Sequence, residues 1–100
     1  MESVYQIALG HEMRSLGLDF EAKKEIKVHY KDILAAEFEA DFLVEKKVIV
    51  EIKAVEMLIT KFHVQTVNYL AATKLDVGLL INFGAPSLQF HRKYRGSKKG

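Results

Sequence analysis

The stretch "EADFLVEKKVIVEIKAVE", residues 39 to 56, decides the fold. Two apolar segments flank a short charged connection, which is the pattern of a β-hairpin. The second arm is rich in the β-branched residues Val48, Ile49, Val50 and Ile52, which suit a pleated strand. The connection at Glu45, Lys46 and Lys47 lacks the Asn-Gly pair of a tight two-residue turn, so the pattern sets the register to within one residue. Strand residues two apart share a face, so Glu51 and Lys53 point one way while Val50 and Ile52 point the other. If the hairpin folds symmetrically about Lys46, Asp41 lies across from Glu51, with Cβ atoms roughly 5 Å apart. Two carboxyl groups and an ammonium group then converge.

Two carboxylates at that separation repel, and burial drives one toward its neutral form unless a cation intervenes. A divalent metal resolves the conflict. Oxygen ligands with open neighbouring positions suit Mg²⁺ or Mn²⁺, which retain several waters and bind phosphate oxygens. A lysine beside them can orient an attacking water or stabilise negative charge developing on phosphorus. That set serves phosphodiester hydrolysis. A second arrangement fits the same spacing: Asp41 and Lys53 as a salt bridge on a solvated sheet face, with Glu51 exposed, since charges on strands usually face water.

Outward from the hairpin, residues 2 to 17, "ESVYQIALGHEMRSLG", place Tyr5, Ala8, Leu9, Met13 and Leu16 at the helical period. Glu12 falls within that stripe and Glu2 on its edge, and Gly17 is a natural stop. From Phe20 the pattern changes to alternation, with Ile26, Val28 and Tyr30 on one face, and "YKDI" supplies a turn into the strand over 34–44. The second arm covers 47–54. Residues 57 to 75 return to helical spacing, with Val64, Val67, Ala71 and Leu75 as the stripe and Phe62, Gln65, Tyr69 and Ala72 widening it. "DVGLLINF" reads as a strand covered on both faces, and "SLQFHRKY" as a final edge strand alternating Leu88, Phe90 and Lys93. The order is α-β-β-β-α-β-β, an α/β architecture with helices flanking a central mixed sheet.

One hundred residues, 49% hydrophobic and 28% charged, fit a single domain around one core, taken as residues 1–93. Without cysteine, disulfides and thiolate zinc sites are excluded, and a cytoplasmic protein is the simplest reading. The longest apolar runs, such as "VGLLI", fall far short of the roughly 20 residues that cross a bilayer, and the N-terminus lacks the pattern of a secretory signal. The net charge of +2 is modest but uneven, because "HRKYRGSKKG", residues 91–100, carries five Lys and Arg and no acid. Residues 94–100 read as a flexible basic tail able to approach phosphates. His11, His29, His63 and His91 show no metal-ligand spacing, and neither a serine-nucleophile context nor a phosphate loop is present.

The segments "ESVY", "VHYKD", "ADFLVEKKVIVEIKAV", "HVQTVNYLAAT" and "VGLLINFG" together resemble the PD-(D/E)XK nuclease superfamily, and within it the GxxExxY family. The resemblance implies a restriction-endonuclease-like core and metal-dependent hydrolysis of nucleic acid, DNA foremost. It implies Asp41 and Glu51 as ligands of Mg²⁺ or Mn²⁺, Glu2 as a further ligand, Lys53 near the attacking water, and Gln65 ordering the site. Tyr5 and Tyr69 match aromatic positions suited to packing. Family members continue upstream through another helix, so this chain's first helix is left partly uncovered, which favours a homodimer. Asp32 and Glu39 depart from the family's usual glycine and basic residue. The alternative is a catalytically silent nuclease-fold module that binds nucleic acid or assembles with protein.

Overall fold

In the computed structural model, which describes residues 1–96, the chain runs as α1 (Glu2–Ser15), β1 (Phe20–Tyr30), β2 (Ile33–Val44), β3 (Val48–Lys53), α2 (Thr60–Thr73), β4 (Val77–Asn82) and β5 (Gln89–Tyr94). The strands form one sheet in the order β1-β2-β3-β4-β5. Only β3 and β4 are parallel, and the crossover that parallel neighbours need is α2. This is the α/β architecture and element order expected from the sequence.

The central hairpin turns about Lys46 as its pattern demands: Val44 pairs with Val48, Leu43 with Ile49 and Phe42 with Val50. Glu45 and Lys46 both adopt left-handed backbone angles without the usual Asn-Gly pair. A reciprocal tie holds them there, because Glu45 N–H donates to Asp19 O and Asp19 N–H donates to Glu45 Oε2, both at 2.7 Å.

Alternation on β3 gives each helix a face. Val50 and Ile52 pack with Met13, Tyr5 and Leu9 of α1, while Ile49 packs with Leu70 and Tyr69 of α2. On β2 the alternation slips. Phe42 joins the α1 side, yet Ala40, two residues away, joins the α2 side, and Phe38 stacks on Tyr69 with ring centroids 3.7 Å apart. The slip falls at Asp41. Its neighbour across the β1–β2 ladder, Lys23, takes φ of 52° and drops out of the pairing between Ala22–Phe42 and Lys24–Ala40. Beyond the slip the two strands continue as a ribbon to the turn at Lys31 and Asp32, where Tyr30 and Ile33 are exposed.

Several sequence-based faces are corrected. On α1, Ala8, Glu12 and Leu16 face outward, and the buried stripe is Gln6, Gly10 and Met13, flanked by Tyr5 and Leu9. The second helix is shorter than 57–75, and its fully covered residues are Thr66 and Leu70, whereas Val64 is half exposed. Thr66 can be buried because its hydroxyl donates to Phe62 O. On β4 only Gly78, Leu80 and Asn82 are fully buried, since α1 leaves Val77, Leu79 and Ile81 half covered. Leu88 and Phe90 are exposed, and Gln89 and Lys93 are the sheltered residues of β5. The basic segment begins inside the fold, where Arg95 pairs with Asp76 at 3.0 Å, and Lys98 and Lys99 lie outside the described residues. Among the described residues no helix is long and apolar enough to cross a membrane.

Gly78 sets how closely α2 lies on the sheet, since a Cβ there would meet Thr66 Cγ2 at 3.2 Å, Ile49 O at 3.3 Å and Leu70 Cδ2 at 3.4 Å. Gly78→Val is expected to cost about 1–3 kcal/mol through overpacking, read as a lower urea midpoint at an unchanged slope. A midpoint equal to that of the native protein would show that α2 can shift freely.

Candidate functional site

One residue beyond the Phe42–Val50 pair the β2–β3 ladder stops, with Asp41 opposite Glu51. Side chains take over the bonding. Ile52 N–H donates to Asp41 Oδ2 at 2.7 Å, and Asp41 N–H donates to Glu51 Oε2 at 3.3 Å. Each carboxyl group accepts the main-chain N–H of the opposite strand, so the parting strands leave neither donor orphaned.

Glu51 is only 6% exposed and Asp41 is half-buried. Loss of solvent is the main influence on both and pushes their pKa values up. For Glu51, burial and then the charge of Asp41 raise the value to about 8. For Asp41, burial outweighs the lowering effect of the Ile52 N–H, and the charge of Glu2 adds to the rise. Lys53 opposes both shifts more weakly, and its Nζ rests 4.5 Å from the centroid of the Phe62 ring. The two ion pairs among the described residues are Lys24–Glu21 and Arg95–Asp76. The solvated Asp41–Lys53 bridge with an exposed Glu51 is therefore not the arrangement adopted.

Glu2 occupies the first position of α1, exposed, and its charge reaches both carboxyl groups. Among the described residues no three of His, Asp and Glu cluster tightly enough to ligate one ion together, so Asp41 and Glu51 stand as an adjacent pair. Gln65 is half-buried on the flank of α2 that also carries Phe62 and Tyr69, in a groove of about 410 Å³ shared with Thr60, Lys61 and Asn68. Tyr69 senses the site: burial first, then the charges of Glu51 and Asp41, push its hydroxyl pKa up. Both site tyrosines pack as stacked pairs, Tyr69 on Phe38 and Tyr5 on Phe83.

Two supporting residues escaped the sequence reading. Gln6, buried on α1, donates from Nε2 to Asp41 O at 3.2 Å and ties the helix to the parted strand. Asn82 is fully buried at the end of β4. Its Oδ1 accepts from Val55 N–H and Gly84 N–H, both at 3.0 Å, while its Nδ2 donates to Val55 O at 2.8 Å and Gln89 Oε1 at 3.0 Å. This fixes the chain just beyond Lys53, whose own carbonyl accepts from Phe83 N–H at 2.9 Å. The fit requires glycine at 84, where a Cβ would collide with the main chain of Ala54 and Val55. The available signal was "INFG", an asparagine ending an apolar strand directly before an aromatic residue and glycine.

The donor set suits a hard divalent cation: two adjacent carboxyl groups, each with one oxygen engaged by a main-chain N–H, one of them raised to about 8 by burial and by its neighbour's charge, both of which a cation would offset. Without metal, folded Glu51 keeps its proton up to about pH 8, whereas the unfolded chain releases it near 4.5. The folded state binds more protons across that window, so stability falls as pH rises through it. In chelator, Glu51→Gln is expected to be close to neutral at pH 4 and stabilising by about 2–4 kcal/mol at pH 8, measured by urea midpoints. Equal effects at the two pH values would mean that Glu51 ionises at no cost.

No curated protein matches the sequence. Among solved structures, the crystal structure of SSO0001 superposes with a TM-score of 0.76 at 14% identity, over 97% of this chain and 52% of that one. An alkaline exonuclease, LHK-Exo, from Laribacter hongkongensis gives 0.57 at 16% identity, over 94% of this chain and 56% of that one. At such identities the likeness is one of fold, and the chain spans about half the length of either neighbour. The family model of the PD-(D/E)XK nuclease superfamily matches residues 1–93, a span that takes in Glu2, Asp41, Glu51, Lys53 and Gln65. With nearly all of its described residues inside that match, and its two acids and lysine at the parting of β2 and β3, the chain belongs to the PD-(D/E)XK nuclease superfamily.

Proposed function

We propose that this chain is a GxxExxY-type, divalent-metal-dependent nuclease that hydrolyses phosphodiester bonds of nucleic acid, with DNA as the preferred substrate. The observation that carries the reading is the buried Glu51 carboxyl group, raised to about 8 beside Asp41 with no ammonium group among the described residues in ion-pair contact. Asp41 has a structural task at Ile52 N–H, but the bond that Glu51 accepts needs only a neutral acceptor, so folding alone gives no reason for a second acid there. The resemblance of the chain to an alkaline exonuclease in fold supports the same reading.

In this reading Asp41 and Glu51 would hold Mg²⁺ or Mn²⁺ while each keeps its main-chain N–H bond, and Glu2, which does not cluster with them as a third direct ligand, would act from the rim through a bridging water. The cation, when bound, stabilises charge developing on phosphorus and makes water more acidic. Lys53 leaves the Phe62 ring, a contact worth roughly 0.5–2 kcal/mol, to orient the attacking water and offset the negative charge of the reacting phosphate. Gln65, one turn from Phe62, steadies the substrate from the α2 side. The outward apolar residues of α1, Val4 and Ile7 among them, support a homodimer.

Purified protein incubated with single-stranded, duplex and branched DNA and with RNA, in Mg²⁺ or Mn²⁺, is expected to cut at least one of them. Glu51→Gln and Lys53→Ala are each expected to slow cutting by about 10²–10⁴-fold. Cleavage that survives both substitutions would remove this site from the mechanism. Mg²⁺ or Mn²⁺ should also raise the melting temperature of the native protein and not that of Glu51→Gln. Absence of both cutting and the thermal shift would leave the silent nuclease-fold module.

A further inference from the structure

A second cluster lies between α2 and β5. Lys93 Nζ donates to His63 Nδ1 at 3.0 Å, and the His91 ring packs edge-on against His63 with centroids 4.9 Å apart. His63 and Lys93 are half-buried, and His91 is exposed. Burial first, and then the charges of Lys93 and His91, pull the His63 pKa down. The strand between β3 and β5 offers no compensation, since Leu80 and Gly78 are the residues of β4 paired with His91 and Lys93. Both ion pairs among the described residues lie elsewhere. Three groups able to carry positive charge thus meet with no carboxylate in ion-pair contact among the described residues, an arrangement that disfavours protonation until an anion arrives.

The cluster is arranged to donate. With Nδ1 accepting from Lys93, the proton of neutral His63 sits on Nε2. His63, Asn68 and Lys93 border a groove of about 250 Å³ whose remaining walls are Val64 and Val67. Ammonium, imidazole and amide N–H groups over an apolar floor match an oxyanion attached to an organic chain, such as a phosphodiester.

Its position relates it to the carboxylates. His63 follows Phe62, the residue on which Lys53 rests, so neighbouring residues of one helical turn serve the two places. In the sheet, Glu51 pairs with Leu80 and Leu80 with His91, which puts His91 two strands, or about 10 Å, from Glu51. A polynucleotide engaged at Asp41 and Glu51 that rounds the N-terminal turn of α2 brings a further phosphate here.

We propose that His63, His91 and Lys93 form a phosphate-binding site for the nucleic-acid backbone, distinct from the carboxylate pair and holding a nucleotide away from the scissile bond. The assignment of a nucleic-acid ligand rests on the nuclease reading; the existence of an anion site does not. Inorganic phosphate titrated into the metal-free protein at pH 6 should give saturable shifts of the His63 and His91 ring resonances and raise the His63 pKa, and Lys93→Ala should abolish them. Unsaturable shifts, or shifts unchanged by Lys93→Ala, would overturn the site. Duplex and single-stranded DNA binding, followed by anisotropy in chelator, should weaken about tenfold in Lys93→Ala/His91→Gln, with the log–log salt slope falling by about one. Hydrolysis of bis(p-nitrophenyl) phosphate, too short to reach the cluster, should be unaffected. Phosphate shifts together with unaltered DNA binding would reduce the site to one for small anions and overturn its assignment to the backbone. Phosphate and DNA binding at the cluster without cleavage by the native protein would leave the site standing and the nuclease reading fallen.

Discussion

The N–H of Ile52 finds its acceptor in a side chain, Asp41 Oδ2 at 2.7 Å, because β2 leaves β3 at that residue. An unsatisfied buried N–H would cost about 1–3 kcal/mol, so the strands can part here only if something polar fills the gap. The departure of β2 sets much else. It coincides with the slip that turns Ala40 and Phe38 toward α2 and Phe42 toward α1, and with the left-handed angle at Lys23. It lets the β1–β2 ribbon pack Phe38 against Tyr69, and it leaves the Glu51 carboxyl group beside Asp41 in an opening between strands.

Around that opening the framework is firmly held. Gln6 ties α1 to the carbonyl of Asp41, and Asn82 uses all four of the hydrogen bonds described for its amide to anchor Val55, Gly84 and Gln89. Lys53 therefore has a fixed main chain and a movable tip, resting on an aromatic face rather than locked to a carboxylate. Such a division suits a group that must respond to a changing charge beside it: the backbone supplies position, and the long flexible stem supplies reach.

Much of this was legible in the sequence. Counting outward from Lys46 put Asp41 across from Glu51, and periodicity gave the seven elements in order, because both depend on local pattern and a single turn. What stayed hidden depends on tertiary context. Period-two counting assumes an unbroken pleat, and nothing in "KK" at 23–24 announces that Lys23 will take a positive φ. Hydrophobicity alone points Ala8 and Leu16 at the core, whereas the buried face admits Gln6, whose amide donates to the carbonyl of Asp41. Thr66 is admitted to the core by a different route, its hydroxyl being satisfied within its own helix. The contact between His63 and His91 joins a helix to a distant edge strand, so no spacing rule could reveal it.

The two acids of the opening answer to different demands. Asp41 repairs a main chain: with alanine there, Ile52 N–H would lose its partner whether or not the protein ever met a phosphate. Glu51 accepts a longer bond of 3.3 Å and carries a carboxyl group that burial disfavours ionising. Natural selection acting on folding alone would preserve the first and readily exchange the second for glutamine. Asp41 is thus the acid that the fold itself demands, and position 51 is where a carboxyl group answers to something other than folding.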